Sequence, residues 1–351
     1  MTYNKLKFNQ LQDIRNLSLK DIENFFIENN EKAFRAKQVY EWLWQKHASS
    51  FNEMTNISKD IRTLLSQNFS LNKIKIKTLQ KSSDKTIKTA FELSDGNIIE
   101  GVLIPAKDRA TACISSQVGC KLGCKFCATG HLGFTRNLTV AEIYDQVVVI
   151  KQQAEGNNLH FSNIVLMGMG EPLLNYDNVM SAIELITSKL GLAMSNSRIT
   201  LSTSGINKMI RKLADDNVRF KLAVSLHSAN NEKRSRLMPI NETNPLNELA
   251  QALKYFYDKT QSRITFEYLL IKDINDGMND AKELAVFCKN VPCKINLIEY
   301  NPIDSSSFKR STKEKTEAFA NYLESKNIIV NIRRSRGKDI DAACGQLANK
   351  N

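Results

Sequence analysis

The spacing of apolar residues changes twice along the chain. Between Leu17 and Lys46 it is helical: Ser18 stands as an N-cap with Asp21 three positions on, and Phe34, Val39, Tyr40, Trp42, Leu43 and Trp44 fall at mostly helical intervals. Residues 1–70 are therefore expected to form a small helical domain. From Leu71 the period drops to two. Lys73 to Leu79 and Thr86 to Leu93 alternate, and Asp95-Gly96 joins the latter to the run Asn97 to Ile104. Residues 71–105 thus read as an antiparallel β-hairpin extension with a basic face.

After Pro105 short apolar runs alternate with helical stretches such as Thr139 to Gln153 and Lys313 to Ser325. The expected strands are Ala112 to Ser116, Asn163 to Met169, Arg198 to Ser204, Lys221 to Ser228, Arg263 to Ile271 and Lys294 to Tyr300, with Ile328 to Ile332 closing the series. Six βα units imply an α/β fold with a parallel sheet, doubly wound or curled into a partial (βα)6 barrel, over residues 106–335. Residues 336–351 form a separate C-terminal segment. In either architecture chemistry gathers at the carboxyl ends of the strands.

Charge narrows the partner. With 49 Lys and Arg against 37 Asp and Glu, the net charge of +12 favours a polyanion, nucleic acid first, although a solvated basic surface gives the same number. Arg35, Lys37 and Lys46, set among the N-terminal aromatics, suit a phosphate backbone in the same way. No run of eighteen apolar residues occurs, and the first twenty residues hold no apolar signal core, so neither membrane nor export is expected. Seven cysteines, an odd number, do not suggest a secreted disulfide framework, and a reducing cytoplasm fits.

The densest chemistry lies in TACISSQVGCKLGCKFCATGHLG, Thr111 to Gly133, where Cys120, Cys124 and Cys127 stand as C-x3-C-x2-C. Three thiolates on a glycine-bearing loop can wrap one polynuclear iron–sulfur centre and leave an iron open. Structural zinc needs four closed ligands; here the fourth would be His131 or Cys113.

The strand ends supply further polar groups. Met167-Gly-Met-Gly170-Glu171-Pro172 resembles a dinucleotide turn but has Leu173 where a third glycine belongs, so Glu171 better suits an amino group. Ser202, Ser225 to His227 and Asn301 end other strands and, taken singly, are ordinary cap or turn residues. Gathered at one rim, they describe a pocket for a small zwitterion. Glu100, among Ile98, Ile99, Val102 and Leu103, is either a solvent-side strand residue or a desolvated proton acceptor.

Together these segments resemble a known family. C-x3-C-x2-C at the first strand end resembles the radical S-adenosylmethionine (SAM) superfamily. ACISSQVGCKLGCKFCATG, MGMGEPLLN, STSG, VSLHS, LMPIN, YNP and DAACGQL resemble the RlmN and Cfr adenosine methyltransferases over nearly the whole chain, with Pro172 closer to the RlmN type. The resemblance implies one [4Fe–4S] cluster per chain on Cys120, Cys124 and Cys127, and two SAM molecules per turnover, bound by Gly170, Glu171, Ser202, Ser225, Leu226, His227 and Asn301. It implies methylation of adenosine carbon 2 in 23S rRNA and in a tRNA anticodon loop, through S-methylated Cys344, a 5′-deoxyadenosyl radical and a transient Cys113–Cys344 disulfide, with Glu100 as proton acceptor. An electron donor such as flavodoxin, a thiol reductant and a monomeric state complete the expectation. A Cfr-like reaction at carbon 8, or a zinc-stabilised RNA-binding protein without catalysis, are the competing readings.

Cys344 follows Arg333, Arg334, Arg336 and Lys338, which predicts an accessible thiol of lowered pKa, with the cationic run also available to phosphate. Cys288 and Cys293 match no motif and are expected to be structural.

Overall fold

The computed structural model describes residues 11–348; the first ten residues of the expected helical domain and the last three of the C-terminal segment lie outside it. The chain opens with α1 (Leu19–Glu28), α2 (Phe34–Trp44) and α3 (Lys59–Asn68). Ser18 starts α1 as a capping box, its hydroxyl accepting from Asp21 N while Asp21 accepts from Ser18 N. Ile22, Phe26, Val39, Leu43, Trp44, Ile61 and Leu65 face inward.

Three antiparallel strands follow, β1 (Lys75–Lys81), β2 (Ile87–Glu92) and β3 (Ile98–Ala106), with Asp95-Gly96 turning between the last two and Gly96 at φ 82°. The remainder alternates strand and helix: β4 (Arg109–Cys113), β5 (Gln117–Gly119), α4 (Ala128–His131), β6 (Phe134–Asn137), α5 (Val140–Gly156), β7 (His160–Leu166), α6 (Tyr176–Thr187), β8 (Ile199–Thr203), α7 (Asn207–Asp215), β9 (Lys221–Ser225), α8 (Asn231–Leu237), α9 (Leu246–Thr260), β10 (Ile264–Leu270), α10 (Met278–Phe287), β11 (Cys293–Glu299), α11 (Lys313–Glu324) and β12 (Ile329–Arg333).

One ten-stranded sheet runs β1-β2-β3-β4-β7-β8-β9-β10-β11-β12, parallel from β4 to β12, and β5 and β6 form a separate hairpin. The antiparallel extension is therefore continuous with the barrel sheet, because β3 pairs with β4. The first barrel strand ends three residues before the expected Ser116. Past Cys113 the ladder is broken: Ser115 N donates to Gln146 Oε1 at 2.8 Å and its hydroxyl to Glu100 O at 2.6 Å. Among the described residues no helix is long and apolar enough to cross a membrane.

The helical module is fixed to α5 by a buried charge network. Arg15 Nη1 donates to Asp145 Oδ2 at 2.7 Å and Lys73 Nζ to Asp145 Oδ1 at 2.8 Å, while Tyr144 Oη donates to Trp44 O at 2.6 Å. Removing one partner of a buried pair leaves an uncompensated charge. Asp145→Ala is therefore expected to cost about 3–5 kcal/mol, read by chemical denaturation; a loss near zero would show that the network does not hold the module.

Candidate active site

Parallel pairing brings the carboxyl ends of the barrel strands to one rim, where a cavity of about 240 Å3 opens. Cys113 at the end of β4, Gly170 and Glu171 after β7, Ser202 on β8, Ser225 on β9, and His227 line it. So do Cys120, Cys124, Cys127 and Cys344. Glu100, Leu226 and Asn301 are not among the residues that line it. Leu226 is fully buried, its N–H donating to Glu267 O at 3.0 Å. Asn301 donates to Cys344 O at 3.4 Å. Glu100 is buried, not solvent-facing: Oε1 lies 3.5 Å from Lys88 Nζ, and Oε2 accepts from Ala348 N at 2.8 Å.

Glu171 is held rather than free. Its Oε2 accepts from Ser204 N at 2.7 Å and Ser204 Oγ at 2.6 Å, and its Oε1 from Leu173 N at 3.1 Å. Burial raises its pKa, opposed by these Ser204 bonds. Gly170 has φ 98°, and a Cβ there would lie 2.5 Å from Gln117 Cβ. Its first requirement is thus close packing of the strand end on β5.

The cysteine loop is tied down on two sides. Lys125 N donates to Leu237 O at 3.0 Å on α8, and Ala128 N donates to Gly345 O at 2.7 Å in the C-terminal segment. Thr129 Oγ1 donates to Leu347 O at 2.6 Å. Phe126 packs edge-on to His227, with ring centroids 4.7 Å apart. His131 is exposed and absent from the cavity wall, whereas Cys113 is in it.

Burial governs the electrostatics. It pushes Cys113 up to about 12, Cys120 to about 11, and raises Cys124 and Cys127 as well. Cys344 opens onto the cavity, as its loop position predicts, but its pKa is raised, not lowered. The protein packed around this residue raises it more than Arg333, acting in the lowering direction, offsets. Two of the other cations expected to help are engaged elsewhere, Arg336 3.9 Å from Asp84 and Lys338 2.7 Å from Glu299. Burial also drives His227 down to about 3, with Arg234 adding to it, so the ring is neutral. Its Nδ1 accepts from Leu269 N at 3.0 Å, which leaves the ring proton on Nε2.

Residues 12–71 match the family model for the ribosomal RNA large subunit methyltransferase N-terminal domain, and residues 114–285 that of the Radical SAM superfamily. The chain is 59% identical over 338 residues to a probable dual-specificity RNA methyltransferase RlmN of Cytophaga hutchinsonii, covering 96% of this chain and 93% of the relative. It is 44% identical over 335 residues to the dual-specificity RNA methyltransferase RlmN of Geotalea uraniireducens, covering 95% and 96%. The chain belongs to the RlmN family. The crystal structure of a radical SAM methyltransferase from Sphaerobacter thermophilus, 38% identical, superimposes with a TM-score of 0.91 over 97% of this chain and 100% of the other.

The radical SAM superfamily implies SAM and a [4Fe–4S] cluster. The RlmN-type residues fit these groups: three soft thiol donors line one cavity, and two buried acceptors beside it, Asn301 Oδ1 and Glu267 Oε2, have no protein donor. Among the described residues no three His, Cys, Asp or Glu side chains close on a point as ligands of a single ion would, so family membership carries the choice of centre.

Sequence reasoning missed Glu267 and Lys88. Glu267, on β10, lines the cavity, with Oε1 accepting from Asn296 Nδ2 at 2.8 Å and Arg333 Nη1 3.8 Å away. The signal was a lone carboxylate inside the apolar run Ile264 to Leu270. Lys88 is buried beside Glu100. Cys293 Sγ donates to Cys288 O at 3.8 Å, and neither residue lines the cavity.

Gly170→Ala combines a positive φ with a steric clash. It is expected to cost about 1–3 kcal/mol, measured as a lowered melting temperature; an unchanged melting curve would contradict the packing described for the strand end.

Proposed function

We propose that this chain methylates carbon 2 of adenosine in RNA, with an adenine of 23S rRNA and an anticodon-loop adenine of tRNA as substrates. It works as a cytoplasmic monomer with one [4Fe–4S] cluster per chain and two SAM molecules per turnover, supplied with electrons by a flavodoxin-like donor and returned to its thiol form by a reductant. The observation that carries this reading is the convergence of Cys113, Cys344 and the three loop cysteines on one cavity, in a chain whose RlmN relatives are named RNA methyltransferases.

Residues 1–70 serve RNA binding, residues 71–105 form the antiparallel extension that carries Glu100, residues 106–335 form the barrel, and residues 336–351 hold the methyl carrier. Cys120, Cys124 and Cys127 hold the cluster. Gly170, Glu171, Ser202, Ser225, Leu226, His227 and Asn301 frame SAM. The bound groups supply a methyl group and a carbon-centred radical, which electron-poor carbon 2 requires because an electrophilic methyl is mismatched to it.

Cys344 carries the methyl group as a thioether and presents it to the base. Glu100 accepts the carbon-2 proton. In the structure Glu100 Oε2 accepts from Ala348 N at 2.8 Å, which ties the proposed proton acceptor to the C-terminal segment. Cys113 then attacks the Cys344 sulfur: an S–S bond forms as the sulfur–carbon bond to the modified base breaks, and the released carbon takes up a proton to become the methyl group. Arg333 acts on both thiols in the lowering direction, favouring the thiolate that this attack needs. The target base must also leave its stack to enter the cavity.

RNA from cells lacking and then regaining the gene, digested and analysed by mass, is expected to gain 2-methyladenosine. 8-Methyladenosine instead would assign the Cfr-type reaction, and zinc without sulfide in anaerobically purified protein would end the radical reading. The two thiol variants are expected to fail differently. Cys344→Ala should lose methyl transfer while retaining iron and sulfide, and Cys113→Ala should leave RNA covalently attached to protein, visible as a shifted band under denaturing conditions. Normal turnover by Cys344→Ala would remove the carrier role.

A further inference from the structure

Arg234, on α8, is fully buried at 0% exposure. All five of its N–H groups are used. Nε donates to Leu226 O at 3.2 Å; Nη1 to Asn241 Oδ1 at 2.7 Å and Asn244 O at 3.5 Å; Nη2 to Ser204 O at 2.6 Å and Ser225 O at 3.4 Å. Every acceptor is neutral, and among the described residues no carboxylate stands within ion-pair distance of this guanidinium. A buried cation without a counter-charge is strongly unfavourable, and hydrogen bonds to carbonyls compensate only part of that cost.

The cysteine loop would supply the missing opposite charge once its thiols bind a cluster as thiolates. Burial pulls Arg234 down to about 10, and Cys124 is the group that acts against this pull, so the guanidinium remains charged at neutral pH. The link is also structural. Lys125, between Cys124 and Cys127, donates its N–H to Leu237 O at 3.0 Å, bonding the loop to the helix that bears Arg234. Ser225 and Leu226, two of the other acceptors, belong to the proposed SAM frame.

We propose that Arg234 is a positioning residue for the iron–sulfur centre: its buried cation compensates the thiolate-bound cluster and raises its reduction potential, while its bonds to Ser204, Ser225 and Leu226 tie the ends of β8 and β9 to α8, the helix to which the Cys124 loop is bonded. The inference rests on the reading that Cys120, Cys124 and Cys127 hold a [4Fe–4S] cluster. The sign follows from charge. Gaining an electron makes the centre more negative, and a fixed cation in a low-dielectric site favours the more negative state.

The test is a redox titration of anaerobically reconstituted full-length protein, following the signal of the reduced cluster by electron paramagnetic resonance. Arg234→Met is expected to lower the midpoint so that the equilibrium constant for reduction falls at least tenfold, which is 59 mV for one electron. Arg234→Lys, which keeps the charge but not the five-donor fork, is expected to stay within that interval. Asn241→Asp places a carboxylate on Nη1 and cancels the field with the arginine still in place; it is expected to shift as Arg234→Met does, and it decides alone if the methionine variant does not fold. Wild-type potentials in both neutralised variants, or an equal shift in Arg234→Lys and Arg234→Met, overturn the proposal. Absence of iron and sulfide from the wild-type protein overturns the cluster reading itself, a different and separable result.

Discussion

The site depends on a short C-terminal strap. Gly345 O accepts from Ala128 N at 2.7 Å, Leu347 O accepts from Thr129 Oγ1 at 2.6 Å, Gln346 Nε2 donates to Pro302 O at 3.1 Å, and Ala348 N donates to Glu100 Oε2 at 2.8 Å. These bonds reach the helix after Cys127, the loop after β11 and the strand β3. Cys344 is thereby suspended over a cavity whose walls come from distant parts of the chain. Each such bond contributes a net ~0.5–1.5 kcal/mol, so the strap is ordered yet able to open locally without global unfolding. The methyl carrier proposed at Cys344 needs both properties, because its thiol would be loaded at one partner and discharged at another.

Charge in the cavity is arranged around the same need. Burial holds the thiols and the carboxylates Glu171 and Glu267 toward their neutral forms. Two arginines oppose it from different sides. Arg333, half exposed at the mouth, acts on Cys113, Cys344 and Glu267. Arg234, fully enclosed, acts on Cys124. The two cations are thus divided between the thiols proposed to handle the methyl group and the thiols proposed to hold the cluster.

What the sequence revealed and concealed follows from the range of each interaction. Central parallel strands are covered on both sides, so they read as continuous apolar runs, and all six were legible to within a few residues. The end of β4 was misplaced because Ser115 bonds to Gln146 and Glu100, contacts that no local pattern encodes. The fate of Glu100 was undecidable for the same reason: what covers it is Ala348, 248 residues away. The acidity of Cys344 was misjudged from its neighbours in sequence, since Arg336 and Lys338 lie near Asp84 and Glu299. Glu267 belongs to no recognised motif, and only the direction of its side chain makes it part of the cavity wall.

Sheet register explains why antiparallel strands are fused to a parallel barrel here. Lys88 on β2 pairs with Val102 on β3, and Val102 pairs with Cys113 on β4, so the three share one face. Glu100 lies two residues from Val102 and therefore points the same way. Lys88, Glu100 and Cys113 are thus set side by side by main-chain pairing alone, beside the first barrel strand and beneath the strap. A one-residue slip in β3 would turn Glu100 to the opposite face and leave Lys88 buried without its carboxylate. The burial that punishes such a slip is also what fixes the register, so the cost of enclosing these charges is what keeps the proposed proton acceptor beside the proposed resolving thiol.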